Sequence, residues 1–357
     1  MDASSPRTSY MRAAESDSTV LCDRGKMAAF YISDTSALAA RTPPLPPRPT
    51  TAEPGSLRVA HYNLNVLHGH DFKSPVEAGD AAKALLALDA DVLLLQEAGV
   101  QSFSPEYEVE PHFRDLDSSA RIDELHALLK AAGYALLSTA GVSDNDNPAM
   151  IATRLPILSP GEAFCLDDAH EWTATMRSTE LLRSKGIPPV PETRAARIVR
   201  LALGGEATLD VVVTHLHHTE RGMPGLRVAE VRAVQEALAS LQPPASAQLW
   251  ATDFNGQRRQ DYTSREWDLV EAGKARIEPG GTAEDGVAAL LSASGWLCTY
   301  DAPGQQSPAF THWTSTTVDF CWVRSAAATR AVVHGVYVVP LGLSDHLPVV
   351  HDISIGV

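Results

Sequence analysis

From residue 57 onward the hydrophobic positions recur in two rhythms, and before it they follow neither. Leu57-Arg-Val-Ala-His-Tyr-Asn63 alternates enough to predict a strand, with Tyr62 and Asn63 at its exit. Glu77 to Leu88 carries Ala81, Ala84, Leu85 and Leu88 at helical spacing, and Asp91-Val-Leu-Leu-Leu95 reads as a buried strand running into Gln96-Glu97. Ser118 to Ala132 predicts a second amphipathic helix, opened by a serine and stopped at Gly133. Strands over Tyr134–Leu137 and Met150–Thr153 flank a polar loop, Ser143-Asp-Asn-Asp-Asn147. The stretch 159–195 contains prolines and is poorly patterned, so it reads as an insertion or surface loop.

In the second half, Ile198–Leu203 and Leu209–Thr214 predict a hairpin joined through Gly204-Gly205. Leu226 to Leu241 is helical, with Val231, Val234, Leu238 and Leu241 on one stripe and Pro243-Pro244 beyond it. A strand over Leu249–Thr252 leads into Asp253-Phe-Asn255. Arg265–Val270 and Ala283–Ser294 read as helices, and Thr317–Val323, Ala331–Val339 and Leu347–Ile353 as the last strands. Strands outnumber helices and no repeat is visible, which fits an α/β two-layer or sandwich architecture. Residues 1–55 are rich in Ser, Ala, Thr and Pro and are expected to form a disordered tail before one domain spanning 56–357. Within that tail, Arg41-Thr-Pro-Pro-Leu-Pro-Pro-Arg-Pro49 favours polyproline II and reads as a stiff linker, with an SH3-type partner as the alternative.

The same pattern leaves polar residues where buried strands end: Asn63, Glu97, His215, the pair Asp253/Asn255, and Asp345/His346. Asp319 is a further acid, lodged inside an apolar strand. Any one of them has a structural reading as a cap or a turn, and Asp253 and Asn255 are common turn formers. Together at strand ends, where sites in layered α/β folds collect, they point to a single polar site.

Composition narrows the chemistry. At 357 residues, with 44% hydrophobic and 20% charged residues, the chain is globular in type. A net charge of −15 argues against avid sequence-independent binding to a polyanion. A nucleic acid held at one site stays open where a divalent cation supplies positive charge. Cys22, Cys165, Cys298 and Cys321 lie far apart without CxxC spacing, so the expectation is reduced thiols in an intracellular protein of cytoplasm or nucleus. No run of about 18 apolar residues suggests a membrane span, and a monomer is expected. Glu97, Asp345 and Asn63 are hard oxygen ligands without a thiolate partner, which suits Mg²⁺ or Mn²⁺ rather than zinc. Histidines beside acids, with no Gly-rich phosphate loop and no GxSxG elbow, point to water attacking a phosphoryl centre.

The motifs Tyr62-Asn63, Leu95-Gln96-Glu97, Thr214-His215-Leu216, Thr252-Asp253-Phe254-Asn255, Val318-Asp319-Phe320 and Ser344-Asp345-His346 resemble those of the endonuclease/exonuclease/phosphatase superfamily, in that family's order. The resemblance runs from about residue 57 to the carboxyl terminus. It implies a four-layered α/β sandwich with two central mixed β-sheets flanked by helices, and Mg²⁺-dependent phosphoester hydrolysis with Mn²⁺ as a substitute. It makes Glu97 the main metal ligand, with Asn63 and Asp345 completing or steering the metal shell. His346 is then the general base or phosphate-stabilising histidine, oriented by Asp319. Asp253 aligns the attacking water, Asn255 holds a non-bridging oxygen, and His215 serves the scissile phosphate or leaving group. Asn147 resembles a further family segment that contacts phosphate. Thr252 departs from the family's usual glycine, and the arginine often preceding the later aspartate is absent at Thr317 and Val318.

Of the neighbours, Arg221 and Arg227 are candidates for substrate phosphate or helix-face ion pairs, and Trp313 for an aromatic wall or core. His217 and His218 are expected at a solvated rim, and His68 and His70 either touch substrate or decorate a loop. The favoured function is a nuclease or an enzyme similar to 5′-tyrosyl-DNA phosphodiesterases, on the strength of Thr214-His-Leu-His-His-Thr-Glu-Arg-Gly222. Nucleic acid is thus preferred to lipid as partner. The alternatives are a sphingomyelinase-like or small-molecule phosphoesterase, and a non-catalytic scaffold.

Overall fold

The computed structural model describes residues 45–47, 55–69, 75–99, 118–142, 148–166, 194–217, 225–277, 282–308, 310–312 and 316–356. Its two parallel strand pairs organise everything else. Strand β1 (Ser56–Asn63) runs parallel to β2 (Val92–Gln96), joined through helix α1 (Ala78–Ala87). Strand β8 (Ala207–Val213) runs parallel to β9 (Ala247–Asp253), joined through α3 (Leu226–Ser240). A parallel pair brings the carboxyl ends of both strands to one edge, so each sheet delivers two strand exits together.

Antiparallel strands extend each pair. The first sheet has the order β12-β13-β1-β2-β4-β3, adding β3 (Ala135–Ser138), β4 (Met150–Thr153), β12 (Arg330–Val338) and β13 (Val349–Gly356). The second has the order β10-β11-β9-β8-β7-β5, with β6 also paired to β7; it adds β5 (Ile157–Ser159), β6 (Ala163–Cys165), β7 (Ala195–Gly204), β10 (Leu297–Cys298) and β11 (Asp319–Ser325).

Side-chain alternation then builds the layers. Leu57, Val59, Val92, Leu94, Leu209, Val211, Val213, Leu249, Ala251, Cys321, Val323, Ile353 and Ile355 form the apolar filling between the two sheets. The opposite face of the first sheet (Ala60, Tyr62, Leu93, Leu95) packs on α1 and on α2 (Ser119–Ala131) through Ala81, Leu85, Ile122, Leu125 and Leu129. The opposite face of the second (Val212, Trp250, Phe320, Trp322) packs on α3 and α5 (Val287–Ala293) through Val231, Val234, Leu238 and Leu291. With α4 (Ser264–Ile277), these elements make two mixed sheets flanked by helices, the α/β sandwich. Among the described residues no helix is long and apolar enough to cross a membrane.

Three expectations change. The stretch 159–195 is ordered at both ends, because β6 and the first residue of β7 fall within it and pair with each other at Cys165 and Ala195; residues 167–193 lie outside the described ones. The helix expected from Ala283 starts at Val287, after Gly286 takes a left-handed conformation. In the Pro-rich run, Leu45 packs against the first sheet's outer core and the Pro46 carbonyl accepts from the Arg58 guanidinium at 3.1 Å. The other residues of that run, and all before it, lie outside the described residues.

Candidate active site

Parity along the strands places the site. On β1 the inter-sheet positions are Leu57, Val59, His61 and Asn63; on β9 they are Ala247, Leu249, Ala251 and Asp253. Going the other way along β11, Val323 and Cys321 lead to Asp319. The apolar filling therefore ends in Asn63, Asp253 and Asp319, and Val213 is followed two residues later by His215. Asp319 opens β11 instead of lying inside an apolar strand, and it stands directly opposite Asp253 in register.

His346 settles how two buried aspartates coexist there. Its Nδ1 donates to Asp319 Oδ2 at 2.9 Å, and its Nε2 lies 3.6 Å from Asp253 Oδ2. Burial opposes a charged imidazole, but Asp319, Asp345 and Asp253 outweigh it and push His346 up to about 10. For Asp253, burial opposes ionisation, yet the hydrogen bond from His215 and the nearby imidazoles hold it well below the usual carboxylate range. Asp345 is also held low, chiefly by His346 and His312 against its own burial.

The first sheet contributes Asn63, whose Nδ2 donates to Glu97 Oε1 at 3.1 Å and to Asp253 Oδ2 at 3.3 Å. Its Oδ1 accepts from the Asn65 amide, inside a left-handed turn formed by Asn65, Val66 and Leu67. Glu97 (φ 51°) and Asn255 (φ 52°) also take positive φ, a conformation that costs energy and collects at functional sites.

The second sheet contributes His215, whose Nε2 lies 3.3 Å from Asp253 Oδ2 and 3.0 Å from Asn255 Nδ2. Asp253 Oδ1 accepts from the Asn255 amide at 2.8 Å, so the turn expected of this pair and its place in the site are the same structure. Thr252, where glycine is usual in the resembled family, is buried; its hydroxyl donates to the Thr214 carbonyl, and Trp250 Nε1 donates to Thr214 Oγ1 at 3.0 Å. These bonds hold the loop that carries His215.

Two site residues carried no readable signal. Arg194, 1% exposed, places Nη1 2.9 Å from His215 Nδ1 and comes from the end of the unpatterned stretch. His312 lies 3.5 Å from Asp345 Oδ2, and its ring centroid is 4.4 Å from that of His346. The one hint is that His312 directly precedes the candidate Trp313; Arg194 has no such neighbour. His217 is a correction: it is 1% exposed, not solvated, and its Nδ1 pairs with the fully buried Glu230. Arg227 is likewise buried, donating to Asp285 and to the His217 carbonyl, which seats the His215 loop on α3. His68 is buried as well. Asn147, Arg221 and Trp313, with His70 and His218, lie outside the described residues.

The mouth thus gathers the carboxylates of Glu97, Asp253, Asp319 and Asp345 against the Arg194 guanidinium and the His346 imidazolium. Asp345 lies close to His312 and His346, and Asp253 and Asp319 close to His346, but a His346 protonated on both nitrogens has no lone pair for an ion, so the carboxylates are the ligands these groups offer. An excess of hard oxygen donors in a partly enclosed mouth fits a divalent cation.

No family model matches the chain, and no curated protein matches it in sequence. Solved structures do. An endonuclease/exonuclease/phosphatase protein from Beutenbergia cavernae superposes with a TM-score of 0.54 at 17% identity, over 84% of this chain and 72% of that one. A mannosyl-6-phosphatase from Bacteroides thetaiotaomicron gives 0.53 at 16%, over 84% and 99%. TDP2 from D. rerio, solved with a single strand DNA product, gives 0.51 at 17%, over 84% and 99%.

Proposed function

We propose that this chain, which has the endonuclease/exonuclease/phosphatase fold, is a divalent-cation-dependent phosphoesterase in which water attacks phosphorus. The observation that carries the reading is Asp253, an anionic acid flanked by a histidine from each half of the sandwich. Asp253 aligns the attacking water and takes its proton. His346, oriented by Asp319, offers Nε2–H to a phosphoryl oxygen. Asn255 Nδ2 and His215 Nε2 meet within 3.0 Å and hold a second oxygen or the leaving group. Glu97 and Asp345, with Asn63 steering Glu97, would hold the cation, which when bound offsets charge on the phosphoryl group. Mg²⁺ suits these oxygen donors, with Mn²⁺ as substitute.

Among substrates, a phosphodiester in nucleic acid is favoured, supported by the likeness to TDP2 with its DNA product and by the His215 segment. A small phosphate ester is the second reading, favoured by the net charge of −15 and by the mannosyl-6-phosphatase likeness. A panel of single-stranded DNA, 5′-tyrosyl DNA, sphingomyelin and a sugar phosphate, each with Mg²⁺ and with EDTA, separates them. Hydrolysis of DNA that falls steeply with salt supports the first; turnover of the sugar phosphate alone supports the second. Hydrolysis undiminished by EDTA, or by Glu97→Ala, removes the cation from the mechanism, and no turnover of any substrate leaves a scaffold. Residues 1–55 are proposed to lie outside this catalytic domain apart from Leu45 and Pro46, which pack against it.

A further inference from the structure

We infer that Arg194 is a positioning residue for His215: by donating to Nδ1 it keeps the ring proton on Nε2, so that His215 meets substrate as a hydrogen-bond donor. The two side chains are both buried, and Arg194 Nη1 sits 2.9 Å from His215 Nδ1. A guanidinium has five N–H donors, no acceptor, and does not deprotonate. Nδ1 must therefore accept. A neutral imidazole has one acceptor nitrogen, so its proton is on Nε2.

The other contacts of the ring decide against the opposite tautomer. With the proton on Nε2, Arg194 donates to Nδ1, and the positive N–H end of Nε2 stands 3.3 Å from the Asp253 carboxylate, an electrostatically favourable contact. The unmatched contact is Asn255 Nδ2 at 3.0 Å, and that amide already donates to the Leu216 carbonyl at 2.9 Å. With the proton on Nδ1, only the Asn255 contact is satisfied. Donor then faces donor at Arg194, a lone pair faces the Asp253 carboxylate, and Nδ1–H finds Glu97 Oε1 at 3.8 Å, beyond hydrogen-bond range.

The consequence is chemical. Nε2–H and the second N–H of Asn255 converge on the mouth, and two converging donors are reconciled by an anionic oxygen between them. Arg194 thereby makes His215 a phosphate or leaving-group donor and denies it the role of base. This role rests on the phosphoesterase reading; the tautomer does not.

The test uses the full chain with ¹⁵N-labelled histidine and long-range ¹H–¹⁵N correlation, the His215 signals being those lost in His215→Gln. The expected spectrum has a protonated Nε2 and an unprotonated Nδ1 at His215. Arg194→Lys keeps that pattern, and Arg194→Glu moves the proton to Nδ1 and lowers kcat for a phosphodiester reporter about 10²-fold with KM little changed. A proton on Nδ1 in the unmutated chain overturns the inference, as does a folded Arg194→Glu chain with Nε2 still protonated. If that variant does not fold, the unmutated spectrum decides alone. A chain with the expected tautomer that hydrolyses no phosphoester overturns the functional reading and leaves the Arg194 assignment supported.

Discussion

Four histidines lie along the seam between the sheets, and they divide into two pairs that differ in what stands opposite them. The deeper pair, His61 on β1 and His351 on β13, has ring centroids 5.1 Å apart, and none of its four ring nitrogens has a hydrogen-bond partner among the described residues. Burial pushes His61 down to about 4 and His351 well below its ordinary value. The outer pair, His215 and His346, is almost as buried, yet carboxylates hold His346 as a cation. Depth alone therefore does not decide the charge of a histidine here. Within the outer pair, the partner of Nδ1 makes the second distinction: a carboxylate behind His346, a guanidinium behind His215.

The most severe way to break this comparison is to remove the outer partners. Asp253→Asn and His346→Ala are each expected to lower kcat about 10³-fold on a phosphodiester reporter, since each removes a group that moves or offsets charge during the reaction. Circular dichroism should show the fold retained. His61→Leu, one layer deeper, is the control and is expected to stay within about tenfold of the unmutated rate. Equal losses at both depths would show that the two pairs form one functional unit.

A milder perturbation keeps the histidine and alters its partner. Asp319→Asn leaves His346 a weaker acceptor behind Nδ1, and losses for partners of this kind are about 10- to 100-fold. The pH–rate profile gives the sign. His346 works protonated, its value raised to about 10 mainly by Asp319 among the charges that oppose burial. Weakening Asp319 brings the value down, so the alkaline limb of the profile should move to lower pH. An unmoved limb would assign it to another group.

These partners also show what the sequence could carry. Strand exits were readable because apolar runs end abruptly in Asn63, Glu97 and Asp253, and alternation gives the face each one shares; His346 was readable at the entry to the last apolar run. The two-sheet architecture was readable for the same reason. Arg194 was not, because a buried arginine before β7 leaves no periodic mark and its partner lies across the hairpin at His215. His217 reads as solvated from the sequence because its partner Glu230 sits on the buried face of α3, where a lone acid looks like a surface residue. Asp319 reads as lying inside a strand because Thr317 and Val318 look extended in sequence, whereas β11 pairing begins at Asp319 itself.

The smallest effect comes from the deeper pair, and it acts on stability. His61 is neutral when folded, with a value of about 4 against 6.5 for an ordinary histidine, and the charged groups that act on it are Asp319, Asp253 and His346. The unfolded chain therefore binds more protons between those values, and the stability due to keeping His61 neutral is fully present above pH 6.5. It is lost as the pH falls towards 4, at up to about 1.4 kcal/mol per unit. His346 runs the other way, contributing below pH 6.5 and losing its contribution as the pH rises through about 10. In His61→Leu, urea midpoints measured from pH 7 to 5 should fall less steeply than in the unmutated chain. At pH 7 the variant should gain about 1 kcal/mol, since two unpartnered buried nitrogens are replaced by apolar atoms of similar bulk. Parallel declines in the two chains would mean that His61 is already charged at depth, and the contrast between the pairs would then be one of position alone.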